Sequence, residues 1–480
     1  MFQNTMPRYE ILSGDAIETL DRGWKRIVSE IGIRYLLPEA IELLRDAGQD
    51  VTDDVVKLDP EFVLEQVAKA PATFDWRGRN PDRTVQIGGD SMVFASVYGA
   101  PFVREGDVRR DAKLADFHNF VKLSHSFAEL DSAGGVVCEP EDAPLDSRHL
   151  DMIYAHLTPS DKPFMGSVIS ATRAEDTLLM CDIVFGGREE VRRAPCTVSL
   201  VNCNSPLCWD DRMLESMLHY ARENQAVIIT PFLLMGAMSP VAIPATLAQQ
   251  IAEAFAGIVL TQLVRPGAPV IFGSFLSNND MQSGSPAFGT PESAIGLLAT
   301  GQIARHYGLP FRTGGGLCTS PVCDAQAAYE SLMTLMPTFL TGTNFVLHAA
   351  GWLEGALVAG YEKFIVDLEL LRMLRETFTP LEINEETMAF ADHEEVGQGP
   401  GANFFASPYT LDHFRDCFYR PLLSTTENFS RFSRHGKDAT ARATDIWHAQ
   451  LEAYEPPPLE DGMRQELDEF VARRRTELGD

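Results

Sequence analysis

Apolar residues recur at helical spacing through the start of the chain and then give way to alternating helical and short apolar runs. Leu20, Trp24, Ile27, Val28 and Ile31 lie on one helical face, and Gly32 stops that run. Pro38 opens a second helix through Ile41, Leu43 and Leu44, which Gly48 closes, and a third occupies 60–70 ahead of Pro71. Residues 84–104 change character. Val85, Ile87, Val93 and Phe94 predict short strands, and Phe94, Tyr98 and Phe102 suggest an aromatic hairpin reaching over a site.

From Asp116 onward each helical run precedes an apolar one. Runs at 135–138, 164–168, 197–201, 227–229, 270–272, 310–313 and 345–348 predict seven strands, separated by helices such as 246–264 and 325–339. Strands this apolar are typical of parallel sheets buried on both faces. Continuous alternation with no glycine-rich dinucleotide fingerprint favours an α/β chain built as a (β/α)8 TIM barrel over 84–445. A helical cap is expected over 1–83 and a helical tail over 446–480, and 388–396 is the candidate for the eighth strand.

Charge and composition narrow the function. The 480 residues carry a net charge of −28, which argues against nucleic acid and against an anionic membrane surface. It is compatible with a cationic substrate, and equally with solubility alone. The first ten residues are polar and lack a leader's basic-then-apolar pattern. The long apolar run 243–264 holds Gln249, Gln250, Glu253 and Gln262, so it reads as a core helix rather than a membrane span. The eight cysteines read as reduced thiols of a cytoplasmic protein.

In a barrel the chemistry sits just beyond the strand ends. Those positions are rich in amides, aromatics and methionines and poor in acids and bases, which suits binding and orienting more than proton transfer. Ring faces attract a diffuse cation that cannot donate hydrogen bonds, so Tyr98, Phe102, Phe275 and Trp352 are candidates to cage a quaternary ammonium. His348, at a strand end, is the candidate catalytic residue, able to bind a carboxylate or meet an acceptor. Cys203 and Cys208, like Cys318 and Cys323, are spaced too widely for an ordinary zinc pair, and no metal is expected. The run Gly314, Gly315, Gly316 could approach a cofactor, but it lacks the Lys-Ser/Thr of a phosphate loop and fits a tight strand-to-helix turn. No Gly-x-Ser-x-Gly elbow occurs, which argues against a serine hydrolase.

Dispersed motifs then converge. Asp324 to Glu330 (DAQAAYE) precedes Leu340 to Asn344 (LTGTN), Gly351 to Glu354 (GWLE) and Val366 to Glu369 (VDLE). Glu30 to Ile33, Leu43 to Gly48, Gly289 to Glu292 and Tyr454 to Leu459 add to them. Over nearly its whole length the chain resembles the trimethylamine methyltransferase family. The resemblance implies a (β/α)8 barrel and methyl transfer from an amine to the cobalt of a separate corrinoid protein. Members active on trimethylamine carry pyrrolysine in the strand-six loop. The matching loop here is Cys318 to Cys323, with Pro321 near the special position. That departure points to the branch using quaternary amines such as glycine betaine. For a betaine carboxylate, Arg312, His348, Asn202 and Asn204 are the donor candidates, and Asp280, Gly315, Gly316 and Glu330 are candidates to face the acceptor. No cofactor is expected to be bound tightly by the chain itself. A folate acceptor, another barrel activity such as a decarboxylase or zinc methyltransferase, and a non-catalytic amine-binding protein stay open. A homo-oligomer is expected, with the charged last helix, 460–478, meeting another copy or the corrinoid partner.

Overall fold

A computed structural model describes residues 1–479. Seven strands run parallel in one sheet: β1 (Ser91–Phe94), β2 (Phe164–Met165), β3 (Thr197–Cys203), β4 (Ala226–Met235), β5 (Val270–Gly273), β6 (Phe311–Gly314) and β7 (Phe345–Leu347). Their order is β2-β3-β4-β5-β6-β7-β1, and the antiparallel strands Val85–Gly88 and Thr73–Trp76 continue beyond β1. Helices occur where the periodicity places them, among them Leu114–Ser126, Arg148–Leu157, Ile243–Val264, Pro291–His306 and Ala325–Thr341. Several begin on side-chain caps: Asp210, Thr290 and Asp324 each accept from a backbone N–H of the first turn.

Alternation along the strands sorts side chains to two faces. Val93, Met165, Val198, Leu200, Ile228, Ile271, Phe345 and Leu347 pack together on one face. Phe94, Val201, Val227, Phe272, Phe311 and Val346 face the other way, into the helical layer. The helix Ile243–Val264 is buried in that layer. Trp24 of the N-terminal helix Gly14–Arg26 meets Phe255 of it edge-on at 5.2 Å. The chain's own core therefore accounts for this apolar run.

Two expectations about strands are corrected. Residues 388–396 do not form a strand: Phe390–Val396 is an exposed helix following a turn at Ala389. The place beside β7 is taken by β1, from the N-terminal side of the alternating region. Residues 135–138 are also not a regular strand, and their one sheet contact is the bridge of Cys138 to Ala100. Gly134, at φ +88°, turns the chain just before them. The preceding residues lie between β1 and β2 instead: Asp131 N–H donates to Phe94 C=O at 2.9 Å, and Met165 N–H to Gly134 C=O at 2.8 Å.

The N-terminal region also contains strands that the helical periodicity concealed. Ile33–Tyr35, Asp50–Thr52 and Val55–Lys57 join Cys208–Trp209 in a small sheet. The last helix, Asp461–Leu478, lies on its own chain, burying Leu467 and Phe470 and pairing Arg474 with Asp176 at 2.7 Å.

Candidate active site

Strand register builds the site's floor. Asn202 on β3 pairs with Thr230 on β4, and Gly273 on β5 pairs with Arg312 on β6. A Cβ on Gly273 would stand 1.9 Å from the Thr230 hydroxyl, so only glycine lets these strands close there. Phe311 points into the helical layer, and alternation turns Arg312 to the opposite face.

Arg312 is buried, and its surroundings leave it poorly satisfied. Its Nη1 reaches Ser274 C=O at 3.4 Å, whereas Nε and Nη2 have no hydrogen-bond partner. Burial pulls its pKa down to about 9. The Thr230 hydroxyl is likewise buried without a partner. A buried guanidinium without partners is costly, and an anion would satisfy it.

Aromatic rings stand around this group. The Arg312 guanidinium lies 5.7 Å from the Phe275 ring centre. Phe275 is 5.9 Å from Trp352 and 5.0 Å from Phe232. Phe288 closes the cluster at 5.7 Å from both Phe275 and Trp352. The indole is fixed reciprocally: its N–H donates to Cys318 C=O at 3.2 Å, and the Cys318 thiol to Trp352 C=O at 3.1 Å.

His348 follows β7 and sits edge-on to Trp352 at 4.3 Å, Phe275 at 5.7 Å and Tyr98 at 6.3 Å. Its φ of +61° is left-handed, a conformation that a non-glycine residue adopts only when its surroundings impose it. Here Ser96 C=O accepts its N–H at 3.1 Å, and Gly316 N–H donates to its C=O at 2.8 Å. Burial, aided by Arg312, drives the imidazole well below its ordinary pKa, so it is neutral. Its Nδ1 has no partner.

A buried pair supports this turn from behind. On the helix Tyr361–Thr377, Lys363 Nζ contacts both Asp367 oxygens at 2.6 Å and donates to Ser331 Oγ at 2.7 Å. Asp367 accepts Gly351 N–H at 2.8 Å, and Ser331 Oγ donates to Gly316 C=O at 3.2 Å. Both segments flanking His348 thus rest on one ion pair.

Of the residues singled out in the sequence, Tyr98, Phe275, Arg312, His348 and Trp352 come together. Phe102 packs against the same cluster from the hairpin Phe102–Glu105 and Val108–Asp111, with the Arg109 guanidinium 3.7 Å over its ring. Asn202 is exposed in the floor's row. Asn204 is exposed beyond it and accepts Asp210 N–H at 3.0 Å, a turn-forming role. Asp280 is exposed and caps its own loop through Gln282 and Ser283. Glu330 holds the loop after β6 by accepting Thr319 N–H at 2.8 Å and Ser320 N–H at 3.1 Å. Gly315 lies against Val346 and Ala349, where a Cβ would stand 2.8 and 3.0 Å away, and Gly316 packs against Asp367. Pro321 is exposed.

The sequence reading missed Thr230, Phe232 and Phe288. It also missed a cavity of about 110 Å³ beside Tyr98, lined by Val136, Met152, Met165 and Val168. The Glu139–Arg148 ion pair, at 2.5 Å, borders it. Phe232 could have been found from its place two residues beyond the inward Thr230.

A family model described as trimethylamine methyltransferase (MTTB) matches residues 1–479. The chain is 41% identical to a glycine betaine methyltransferase of Desulfitobacterium hafniense (strain Y51), covering 99% of each chain. It is 29% identical to a proline betaine:corrinoid methyltransferase of Eubacterium limosum, over 77% of this chain and 78% of that one. Among solved structures, a hydroxylamine complex of MtmB superposes with a TM-score of 0.55 at 12% identity, covering 98% of this chain and 90% of that one, a likeness of fold. With the family model spanning all but the last residue, the chain belongs to the trimethylamine methyltransferase family.

Proposed function

We propose that this chain takes a methyl group from a small quaternary amine bearing a carboxylate, glycine betaine or a similar betaine, for transfer to a corrinoid held by a separate protein. A buried guanidinium with two unpartnered nitrogens beside a wall of aromatic rings carries this reading. Each half matches one half of a betaine. The carboxylate can take two hydrogen bonds from the Arg312 fork. The trimethylammonium group has no donor and is held by ring faces. The names of the two methyltransferase relatives support the substrate class, and the second supports the corrinoid acceptor. They lend no support to a folate acceptor or to binding without turnover.

When bound, the partner's corrinoid supplies a nucleophilic cobalt able to accept the methyl group. Residues of this chain orient the donor and exclude water. The amine leaves neutral, so no proton need move, which fits a site whose arginine stays charged at neutral pH and whose histidine does not. His348 can donate a hydrogen bond to the carboxylate without adding a second positive charge beside the ammonium.

The fold is read as a (β/α)8 barrel in which residues 131–135 form the stave between β1 and β2, with the site at the strands' C-terminal mouth. In this reading 1–83 cap the barrel, 84–445 form it and 446–480 complete it as a helical tail. The eight free cysteines support a cytoplasmic location.

Methyl transfer from a panel of quaternary and tertiary amines to reduced cobalamin, followed by absorbance, tests the reading. Turnover of a betaine with trimethylamine inert is expected; tight betaine binding without transfer to any acceptor would overturn it. His348→Ala is expected to lower betaine turnover about ten- to a hundredfold, the worth of one hydrogen bond to a charged group, with the chain still folded as read by circular dichroism. Unaltered kinetics in that variant would remove the role assigned to His348.

A further inference from the structure

The aromatic site is closed to solvent. Arg312 and His348 are 1% and 5% exposed, and the Phe275, Phe288 and Trp352 rings packed beside them are buried as well. A ligand of Arg312 must still get in. The void that comes nearest is the cavity of about 110 Å³ that begins at Tyr98. Its volume approaches that of an apolar cavity of roughly 150 Å³ that takes up benzene, so it admits a small organic molecule.

Three segments wall this cavity: residues 135–139, the helix Arg148–Leu157, and residues 165–169, which continue from β2. One end lies at the surface, where Ile169 is exposed and the Glu139 and Arg148 side chains are partly exposed. The other end is the Tyr98 ring, edge-on to His348 at 6.3 Å. Gly135 gives that ring its seat, since a Cβ there would stand 2.7 Å from it. The phenol responds to charges on both sides. Burial raises its pKa, Glu139 raises it further, and Arg312 opposes the rise. Tyr98 therefore stands between the cavity and the guanidinium.

The wall between the two ends carries no charge. Val136, Met152, Met165 and Val168 are apolar, and His156 is neutral because burial takes its pKa down to about 4. Its Nε2 donates to Gly135 C=O at 2.6 Å. An ammonium group moving along this wall meets no repulsion from it. The outer end, in contrast, matches a zwitterion. Glu139 and Arg148 pair at 2.5 Å and join the loop to the helix. A betaine carries both charges on one small frame, so its ammonium can face Glu139 and its carboxylate Arg148 as the pair opens. Partly exposed pairs hold weakly, so this one can part without disturbing the fold.

We infer, on the strength of the proposed betaine demethylation, that this cavity is a side passage through which the betaine enters and the demethylated amine leaves. The Glu139–Arg148 pair is its outer latch and Tyr98 its inner door. Such a route lets donor and product exchange while the corrinoid protein stays at the strand-end mouth.

Stopped-flow tryptophan fluorescence of the full chain mixed with glycine betaine gives kon and koff, and calorimetry gives Kd. An obstacle in a passage raises the barrier to entry and to exit alike, so it changes rates and leaves affinity alone. Val136→Phe and Val168→Phe, made separately, fill the cavity from different walls. Both rates should fall together by about tenfold or more, with Kd near that of the wild type. Glu139→Ala with Arg148→Ala opens the latch and leaves the net charge at −28, so long-range steering is unchanged. Both rates should then rise together. Circular dichroism checks that each variant is folded. Rates indifferent to the plugs in folded protein, a latchless variant no faster than wild type, or a change in Kd carried by koff alone would each overturn the passage and leave the betaine reading standing. A wild type that binds no betaine would overturn that reading and the passage with it.

Discussion

Arg312→Met is expected to lower kcat/KM for a betaine by roughly thirtyfold to several thousandfold, the equivalent of about 2–5 kcal/mol for truncating one partner of a buried charge pair. The guanidinium is buried on β6 in the row that also holds Thr230, and two of its nitrogens lack partners. A carboxylate arriving there meets a donor already desolvated, and a methionine offers nothing in its place. The loss should depend on the carboxylate. Tetramethylammonium, which carries only the cationic half, should bind Arg312→Met as well as wild type or more tightly, because a neighbouring positive charge has gone. Stability should hold or rise, since the substitution removes a charge that the unliganded site leaves unpaired. The pH dependence has a defined sign. Carboxylate binding needs the protonated guanidinium, whose pKa is held at about 9 in the empty site. Betaine affinity should therefore be flat below that pH and fall about tenfold per pH unit above it. Calorimetric titration with the two ligands separates the outcomes. Equal weakening for both, or none for the betaine, would detach Arg312 from carboxylate recognition.

The sequence was most legible where local periodicity and local chemistry agree. Helices such as Pro291–His306 announce themselves by spacing and by a capping residue, and strands β5 and β7 by unbroken apolar runs. Legibility failed where pairing is decided far along the chain. β1 is a four-residue strand that looks like part of a hairpin until β7, some 250 residues later, pairs with it. The acidic run around Asp392 alternates poorly and, lacking a partner strand, forms a helix. Of the five site residues brought together, Phe275, His348 and Trp352 could be named because each lies just beyond a strand end, Tyr98 from the aromatic run with Phe94 and Phe102, and Arg312 as a donor for the expected carboxylate. What could not be read is the state those residues are in. That Arg312 lacks partners is a tertiary fact, and so is the left-handed backbone of His348. Phe288 escaped because it ends a loop dominated by Asp280 to Ser285, whose polar residues suggest solvent rather than a wall of the site.

Lys363→Met is expected to destabilise the chain by about 3–5 kcal/mol, the cost of leaving one member of a buried ion pair alone. An exposed helical pair at the i, i+4 spacing of Lys363 and Asp367 is worth about 0.3–0.5 kcal/mol. In the structure both are fully buried. Denaturant titration gives the size of the loss. Its second consequence separates packing from positioning. Asp367 accepts Gly351 N–H, and the Lys363–Ser331 contact continues to Gly316, whose N–H holds the His348 carbonyl. Replacing both charges, Lys363→Met with Asp367→Leu, should recover most of the stability because no buried charge remains unpaired. It should not recover turnover, since Gly351 N–H would still lack an acceptor and the left-handed turn carrying His348 would lose its support. Restored stability with kcat still depressed and a betaine KM close to wild type would place the pair's effect on the geometry of the reacting groups. Recovery of both together would mean that the pair serves stability alone, and that His348 keeps its place through its contacts with Ser96 and Gly316.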